Sequence, residues 1–409
     1  MGPKIKTVIA LALIVIIASV SFYAVYNEFY KQSSTNLPSS SNPSTNNPSS
    51  STDDSSNSSS SSDTRNKSSS SSSSSSDSKT VTITDGAGVK ITLPDTPKRI
   101  IVMEDSLAEI LFLLGAKDSI IARTDTVVTP ELQTLPSIAS MAFMASAESI
   151  FVMEPDLIVA SSQFGYTSNP AYSDLDTYNI VTKAGIPVFL ESSADSQPIN
   201  PSKMSSQEIY NANTKIDDIC YTVKQLSALV GNEDRANEYI TWVQSYNKQI
   251  KDKLNNLPRD KQDLAFLDWY ISGEYRTYVD LSICQGGGIN IAENVTLYNP
   301  ALNPEFIVAQ NPAVIIVMIS SNSHSSQDFI NARNAVLNNQ QFKDIDAVKN
   351  GRVYVCDFNA RNGARSVIGY LAFAKWLQPD LFADVDVGAV NRYLCEHFLG
   401  TPTTHTYYY

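Results

Sequence analysis

Apolar runs, separated by polar stretches with helical spacing, predict an α/β protein over most of the chain. Residues 80–84 and 89–93 alternate apolar and polar positions around a Gly-containing turn, which predicts a β-hairpin. Residues 99–103 predict a strand that leads into a helix ending at Gly115, with Ser106 and Glu109 at capping-box spacing. The loop between them follows the carboxyl end of a strand, where open α/β sheets bind ligands.

A strand–helix–strand pattern occurs twice. Glu148 and Glu305 each precede a proline by seven positions, and an apolar run follows each proline. This pattern predicts a short helix that ends at the proline, followed by a buried strand. Each copy continues to a glycine and a second apolar strand, Gly185-Ile-Pro-Val-Phe or Gly351-Arg-Val-Tyr-Val. The repetition predicts two similar lobes.

Two helices are predicted between the copies. Residues 207–230 carry apolar positions at helical spacing. Asn232 is placed to cap a second helix that runs to about Asn255, with Pro258 just past its end. About 22 residues at 1.5 Å each give a length of roughly 33 Å. We expect this single long helix to join the lobes.

The first 79 residues differ from the rest. Residues 7–26 lack charge and are long enough to cross a bilayer core of roughly 30 Å. Lys4 and Lys6 predict a cytoplasmic amino terminus with the rest of the chain outside. An uncleaved anchor is favoured over a cleaved signal peptide, because the run is long and shows no clear A-x-A cleavage site. Residues 32–79, mostly Ser, predict a disordered stalk.

These patterns predict two Rossmann-like α/β lobes and a joining helix. The formal net charge of −12 argues against binding to nucleic acid or to anionic lipid. The four cysteines form no C-x-x-C pair, and a Cys356–Cys395 disulfide is one option outside the cell. The predicted divisions are the anchor or signal peptide at 1–31, the linker at 32–79, the amino-terminal lobe at 80–231, the bridging helix at 232–258 and the carboxy-terminal lobe at 259–409.

Ordered motifs give the chain a resemblance to a known family. The motifs are Arg99-Ile-Ile-Val, Glu109-Ile-Leu-x-x-Leu-Gly-Ala, Glu148-Ser-Ile-x-x-x-x-Pro-Asp-Leu-Ile-Val, Gly185-Ile-Pro-Val, Gly287-Gly-Ile-Asn-Ile-Ala and Ala347-Val-Lys-Asn-Gly-Arg-Val-Tyr. Over roughly residues 80–395 the chain resembles the substrate-binding proteins of ABC importers for iron–siderophores, haem and cobalamin. The resemblance implies two α/β lobes bridged by one rigid helix, with the ligand in the cleft.

The resemblance also implies partners. An ABC permease and its ATPase would receive the ligand, and Glu148 and Glu305 would form salt bridges with permease arginines. A two-fold partner needs one equivalent contact from each lobe. The alternative is that each Glu only complements the dipole of its own helix. We expect a monomer outside the cytoplasm.

The ligand is expected to be an iron chelate or a corrinoid, with no intrinsic cofactor. The chain has three histidines, at 324, 397 and 405, which disfavours a direct metal cage. Arginines suit the oxygens of a siderophore, aromatic rings suit a flat macrocycle, and His324 could ligate haem iron. The candidate ligand-binding residues follow predicted strands: Glu104, Asp105, Tyr166, Trp269, Tyr270, Arg276, His324, Arg361 and Arg365.

Catalysis is not expected. The sequence shows no G-x-S-x-G, no metalloprotease helix and no Walker motif. Two alternatives remain open at this point, because a fold does not determine function. One is a cofactor-modifying surface enzyme on the same scaffold, and the other is a surface sensor or adhesion module.

Overall fold

The computed structural model of the protein describes residues 80–165, 174–191, 214–271, 273–279, 281–295, 297, 299–319 and 325–401. These residues belong to one compact unit, 75–409. The predicted anchor and stalk lie outside the described residues. Among the described helices, none is long and apolar enough to cross a membrane.

The amino-terminal part contains the predicted hairpin and a parallel sheet. In the hairpin, the carboxylate of Asp85 accepts hydrogen bonds from the backbone N–H groups of Ala87 and Val89 and so shapes the turn. The parallel sheet has the strand order β4-β3-β5-β6. The elements are β1 Val81–Thr84, β2 Lys90–Leu93, β3 Ile100–Val102, α1 Asp105–Leu113, β4 Ile120–Arg123, α2 Ala147–Val152, β5 Leu157–Ala160, α3 Leu175–Lys183 and β6 Val188–Leu190.

Two helices follow, α4 at Lys215–Val230 and α5 at Glu233–Leu254. A capping box between Thr214 and Asp217 starts α4. The prediction of a second helix of 22 residues is confirmed. Asn232 occupies its N-cap position, but its side chain donates to the Leu114 carbonyl oxygen instead of capping α5.

The carboxy-terminal part contains a second sheet with the order β10-β8-β7-β11-β12, in which β9 also pairs with β7. Strands β9, β7, β11 and β12 are parallel, whereas β8 and β10 are antiparallel additions. The elements are β7 Asp263–Ile271, β8 Glu274–Arg276, α6 Ser282–Gln285, β9 Gly288–Asn290, β10 Ala301–Leu302, α7 Pro304–Gln310, β11 Val314–Ile319, α8 Ser326–Leu337, α9 Asp346–Lys349, β12 Val353–Asp357, α10 Ser366–Leu377, α11 Val387–Tyr393 and a π-helix Leu394–Leu399.

The duplicated pattern of the sequence corresponds to duplicated structure. The triplets β3-β5-β6 and β7-β11-β12 have the same order, and α2 and α7 precede the middle strand of each. Ser146 and Asn303 cap these helices through their side chains. Glu154 and Asn311 each precede the proline with a φ of 46°, a left-handed value found for no other non-glycine residue in the described part of the chain.

The predicted capping box at Ser106 is wrong. Helix α1 begins at Asp105, its N-cap position is Glu104, and no side chain caps it. Glu109 does not reach back to the helix start, because its carboxylate is held by Arg365 at 2.6 Å. A distant charge therefore overrides the local pattern.

The largest apolar core joins helices from both ends of the chain. It contains buried residues of α1, α4, α5, α10 and the segment after α11. Tyr239 on α5 donates its hydroxyl to the Ala364 carbonyl oxygen at 2.8 Å and meets the Phe398 ring edge-on at 5.4 Å. Helix α5 thus packs against the carboxy-terminal segment as well as standing between the two sheets in sequence.

Candidate functional site

The carboxyl ends of the two sheets meet at one point. Glu104 and Asp105 follow β3, whereas Asp357 ends β12 and Asn359 comes just after it. The Asn359 amide donates to Asp105 Oδ2 at 2.8 Å. Since all strand ends of a parallel sheet lie on one edge, this bond joins the two carboxyl edges, where α/β proteins bind ligands. We call these four residues the junction.

Asp105 has a structural part in the junction. It is 7% exposed, and its Oδ1 accepts from the Val128 N–H, the Thr129 N–H and the Thr129 hydroxyl at 2.7–2.9 Å. Its Oδ2 accepts from Asn359. Both oxygens are thus occupied, so Asp105 fixes the loop after β4 and ties the two sheets together.

Glu104 and Asp357 give the junction two carboxyl groups that exchange protons near neutral pH. Burial raises the pKa of Glu104 to about 8, opposed by a hydrogen bond from Ser161 at 3.1 Å and reinforced by Glu191. Burial also raises the pKa of Asp357 to about 7, against the lowering effect of the Asn359 N–H at 2.7 Å. The junction can therefore offer proton donors as well as acceptors.

An aromatic cluster borders the junction. Trp269, half-buried near the end of β7, stacks on Tyr278 with ring centres 5.1 Å apart, and the ring of Phe358 lies 6.0 Å away. The guanidinium of Arg361 lies 4.8 Å from the centre of the Tyr278 ring. Phe358 sits between Asp357 and Asn359 in the chain, so this cluster begins next to the carboxyl groups, and we call its three rings the aromatic wall.

Arg365 is placed away from solvent. It is 4% exposed, and besides Glu109 it donates to Asn391 Oδ1 at 3.4 Å and to Cys395 Sγ at 3.2 Å. Asn391 and Cys395 belong to the carboxy-terminal helices, whereas Glu109 lies on α1. Arg365 thus joins the two ends of the described chain, and we do not include it among the ligand contacts proposed below.

Tyr270 and Arg276 lie on opposite faces of the second sheet, because Tyr270 pairs with Tyr275, whereas Arg276 pairs directly with Trp269 and shares its face. Successive strand residues point to opposite faces, so Tyr270 faces away from Trp269. Tyr270 is 54% exposed and contacts the Tyr275 ring at 4.9 Å. Arg276 is held by Glu274 and by the Asn299 carbonyl, both at 2.9 Å. The other two predicted contacts, Tyr166 and His324, lie outside the described residues.

Sequence reasoning missed four residues at this site. Ser161 and Asp357 sit at the carboxyl ends of β5 and β12, so the rule that selected Glu104 would have found them. Phe358 directly follows Asp357 and would have been found by the same rule, whereas Tyr278 follows no apolar strand pattern that the sequence revealed.

Glu148 and Glu305 are both exposed in the first turn of α2 and α7. Residues 142–144, just before α2, pack against residues 162–164, which follow β5. The last turn of α2 is held at the other end of the sheet, where Arg99 donates to the Met153 and Glu154 carbonyl oxygens at 2.6 and 2.8 Å. Glu148 therefore lies towards the same edge of the sheet as the junction.

Metal and thiol chemistry have no visible site here. The described residues contain no group of three or more His, Cys, Asp or Glu placed to hold a metal ion. None of the four cysteines forms a disulfide, so the Cys356–Cys395 bridge is absent. Burial raises the pKa of Cys220 to about 12 and raises that of Cys356 as well, which keeps both thiols protonated.

Two sheets joined at their carboxyl edges, with aromatic and carboxyl groups around the joint, define a two-lobed ligand-binding protein. Comparison with known proteins agrees. The profile of the periplasmic binding protein family matches residues 100–360, more than half of the chain. The chain belongs to this family. Its members bind ligands for transport and are not enzymes, so this protein is a binding protein.

Individual relatives are distant. The ABC transporter substrate-binding lipoprotein YvrC of Bacillus subtilis is 24% identical over 313 residues, covering 74% of this chain and 87% of its own. A cobalamin-binding protein of Halobacterium salinarum is 25% identical over 249 residues, 59% of each chain. The solved structure of the molybdate-bound protein MolA from Haemophilus influenzae has a TM-score of 0.60 at 18% identity, covering 79% of this chain and 98% of that one. This last likeness shows the fold.

Proposed function

We propose that the protein captures a cobalamin-type corrinoid or, as the second choice, an iron chelate outside the cell, and passes it to an ABC permease. The observation that carries the proposal is the junction with its aromatic wall. Ring faces at Trp269 and Phe358 suit a flat macrocycle. Glu104, which exchanges its proton near pH 8, suits the amide groups at a corrinoid's rim as donor or acceptor.

The surroundings of Arg361 and Arg365 are the reason for ranking a corrinoid above an iron chelate. A ferric siderophore presents anionic oxygens and is best held by exposed guanidinium groups. Arg365 is paired with Glu109, and Arg361 is 4% exposed over Tyr278. A relative that binds cobalamin supports the same order. Molybdate, the ligand of MolA, is an oxyanion that also needs cationic groups, so the pairing of Arg365 and the burial of Arg361 disfavour it.

Tryptophan fluorescence of the full chain in detergent, titrated with cyanocobalamin, ferrichrome and haemin, tests the ligand class. We expect saturable quenching by cyanocobalamin with one site per chain. Trp269→Phe should remove most of the quenching, whereas Trp242→Phe, which alters a tryptophan within the helix core, should keep it. Absence of saturable binding by all three compounds would reject the proposal, and a preference for ferrichrome would reverse the order.

Docking through Glu148 and Glu305 is the second part of the proposal. Both side chains are exposed and occupy equivalent places in the two copies of the repeat. A carboxylate on each lobe suits a two-fold permease that presents one basic group per subunit. We therefore assign both residues to the permease contact.

Charge removal tests this assignment. Glu148→Ala combined with Glu305→Ala should leave ligand affinity unchanged and abolish ligand uptake by cells. Glu396→Ala, which removes another exposed carboxylate, should leave uptake unchanged. If the double variant lost ligand affinity instead, the two residues would belong to ligand binding.

The location follows from the same function. We propose that residues 1–31 hold the chain at the outer face of the cytoplasmic membrane and that residues 32–79 act as a tether, which keeps a monomeric binding protein near its permease. Fractionation of cells, followed by mass spectrometry of the amino terminus, checks whether residues 1–31 are retained.

A further inference from the structure

Exposed apolar side chains are concentrated on the helix that carries Glu148 and on the segments next to it. Six of the twelve large apolar side chains that are exposed in the described residues lie on α2, α3 and the turn before α2. Helices α2 and α3 pack side by side. We call these six the apolar face: Met141, Met144, Phe151, Val152, Leu175 and Ile180, with exposures from 38% to 76%.

The charge and the apolar groups share one side of α2. Phe151 and Val152 follow Glu148 by three and four positions, which places all three on one side of the helix. The equivalent helix α7 repeats part of the arrangement, because Val308 follows Glu305 by three positions and is 37% exposed, close to the 38% of Phe151. The duplicated unit therefore presents an acid with an apolar neighbour on each lobe, and the first lobe adds more apolar surface.

Clustered exposed apolar groups mark a contact surface. The negative charge of Glu148 limits which partners can bind to that surface. A symmetric dimer formed by this face would bring two copies of Glu148 into one apolar contact, and the six residues of the face include no basic group to pair with either copy. An anionic lipid surface would repel Glu148 as well. A protein surface with a basic group inside an apolar rim is complementary to both features.

We propose that the apolar face is the main docking surface for the permease and that the first lobe supplies most of the binding affinity. This proposal rests on the proposed function and deepens it by naming the surface. Glu148 sets the register, Phe151 and Val152 are buried on docking, and Glu305 with Val308 makes a smaller second contact.

Photo-crosslinking in intact cells identifies the partner. With p-benzoylphenylalanine placed at Val152 of the full chain, we expect a crosslink to a multi-span membrane subunit, which mass spectrometry identifies. The same label at Leu381, an exposed apolar residue elsewhere, should give none. Crosslinks from Val152 to a second copy of the chain or to lipid would overturn the proposal.

Binding to that permease–ATPase complex, purified into nanodiscs, measures the contribution of the face. Phe151→Ser with Val152→Ser should weaken binding of the full chain roughly tenfold or more, since both side chains would be buried. Val308→Ser should weaken it less, and Leu381→Ser should not change it. Wild-type affinity in the first variant would refute the apolar face while leaving the transport function intact. Absence of binding by the wild-type chain would instead refute the transport function.

Discussion

Breaking the ion pair between Glu109 and Arg365 should destabilise the protein more than any other single change of charge described above. The two side chains are 8% and 4% exposed, and Arg365 Nε lies 2.6 Å from Glu109 Oε1. Glu109 Oε2 is buried without a hydrogen-bond partner. Arg365→Met would therefore leave a buried carboxylate with no donor to either oxygen.

The expected loss is about 3–5 kcal/mol in the free energy of unfolding, the usual cost of removing one partner of a buried pair. A second estimate agrees. Arg365→Met removes the charge-assisted hydrogen bond to Glu109, worth about 1.5–3 kcal/mol. It also removes the contacts to Asn391 and Cys395, worth about 0.5–1.5 kcal/mol each. Glu109→Leu combined with Arg365→Met removes both charges, so we expect it to lie within about 1–2 kcal/mol of wild type.

Urea unfolding at pH 7, followed by circular dichroism and tryptophan fluorescence, measures these differences in a double-mutant cycle. The exposed pair between Lys248 and Asp252 serves as control, because Lys248→Ala should cost less than about 1 kcal/mol. An Arg365→Met variant as mild as this control would refute the reasoning. A double variant as unstable as the sum of its single changes would also refute it.

Three further predictions concern other residues. Burial alone raises the pKa of Asp268 from 3.8 to about 8, so the folded state keeps a proton that the unfolded chain loses, and stability should fall as pH rises from about 4 to 8. Glu104 and Asp357 add slopes of the same sign, so Asp268→Asn should reduce this slope and stabilise the protein at pH 8 by on the order of a few kcal/mol in a thermal-unfolding pH series; an unchanged slope would contradict it. Gly363 has a φ of 61°, which favours glycine, and an added Cβ would lie 2.7 Å from Ser106 Cβ. Gly363→Ala should therefore push the two sheets apart and lower ligand affinity at least tenfold, as measured by ligand titration. Wild-type affinity of this variant would contradict the prediction. Cys284 is half-buried, whereas the other three cysteines are buried, so a thiol reagent should label Cys284 first in the native protein. Rapid labelling of more than one thiol would contradict the burial of the other three.

The local patterns of the sequence were sufficient for the duplicated unit and the long helix, but not for the start of α1 or for the antiparallel strands β8 and β10. Apolar periodicity and the prolines after Glu148 and Glu305 predicted α2, α7 and the strands that follow, because the forces that make these elements act over a few residues. The long helix α5 was found for the same reason. Its role in the core was not, because contacts such as that between Tyr239 and Ala364 depend on how distant segments pack.

The site was only partly predictable. The rule about strand ends selected Glu104 and Trp269, and the structure places Glu104 in the junction and Trp269 in the aromatic cluster that borders it. Arg365 was predicted as a ligand contact because a guanidinium near the end of a strand suits an anion. Its true neighbour, Glu109, is 256 residues away, and no local spacing could have paired the two. An ion pair between residues far apart in the sequence, such as Glu109 and Arg365, is what the sequence alone did not reveal.

The contacts that residues after β12 make with α1 affect when the first lobe can fold. Ribosomes make the helix early, yet Asn359, Gly363 and Arg365, which close over it, come about 250 residues later. Until they emerge from the ribosome, Glu109 has no counter-ion and one side of α1 remains exposed to solvent. The first lobe therefore remains unfinished throughout translation, and a chain in that condition is suited to threading through a translocation pore before it folds.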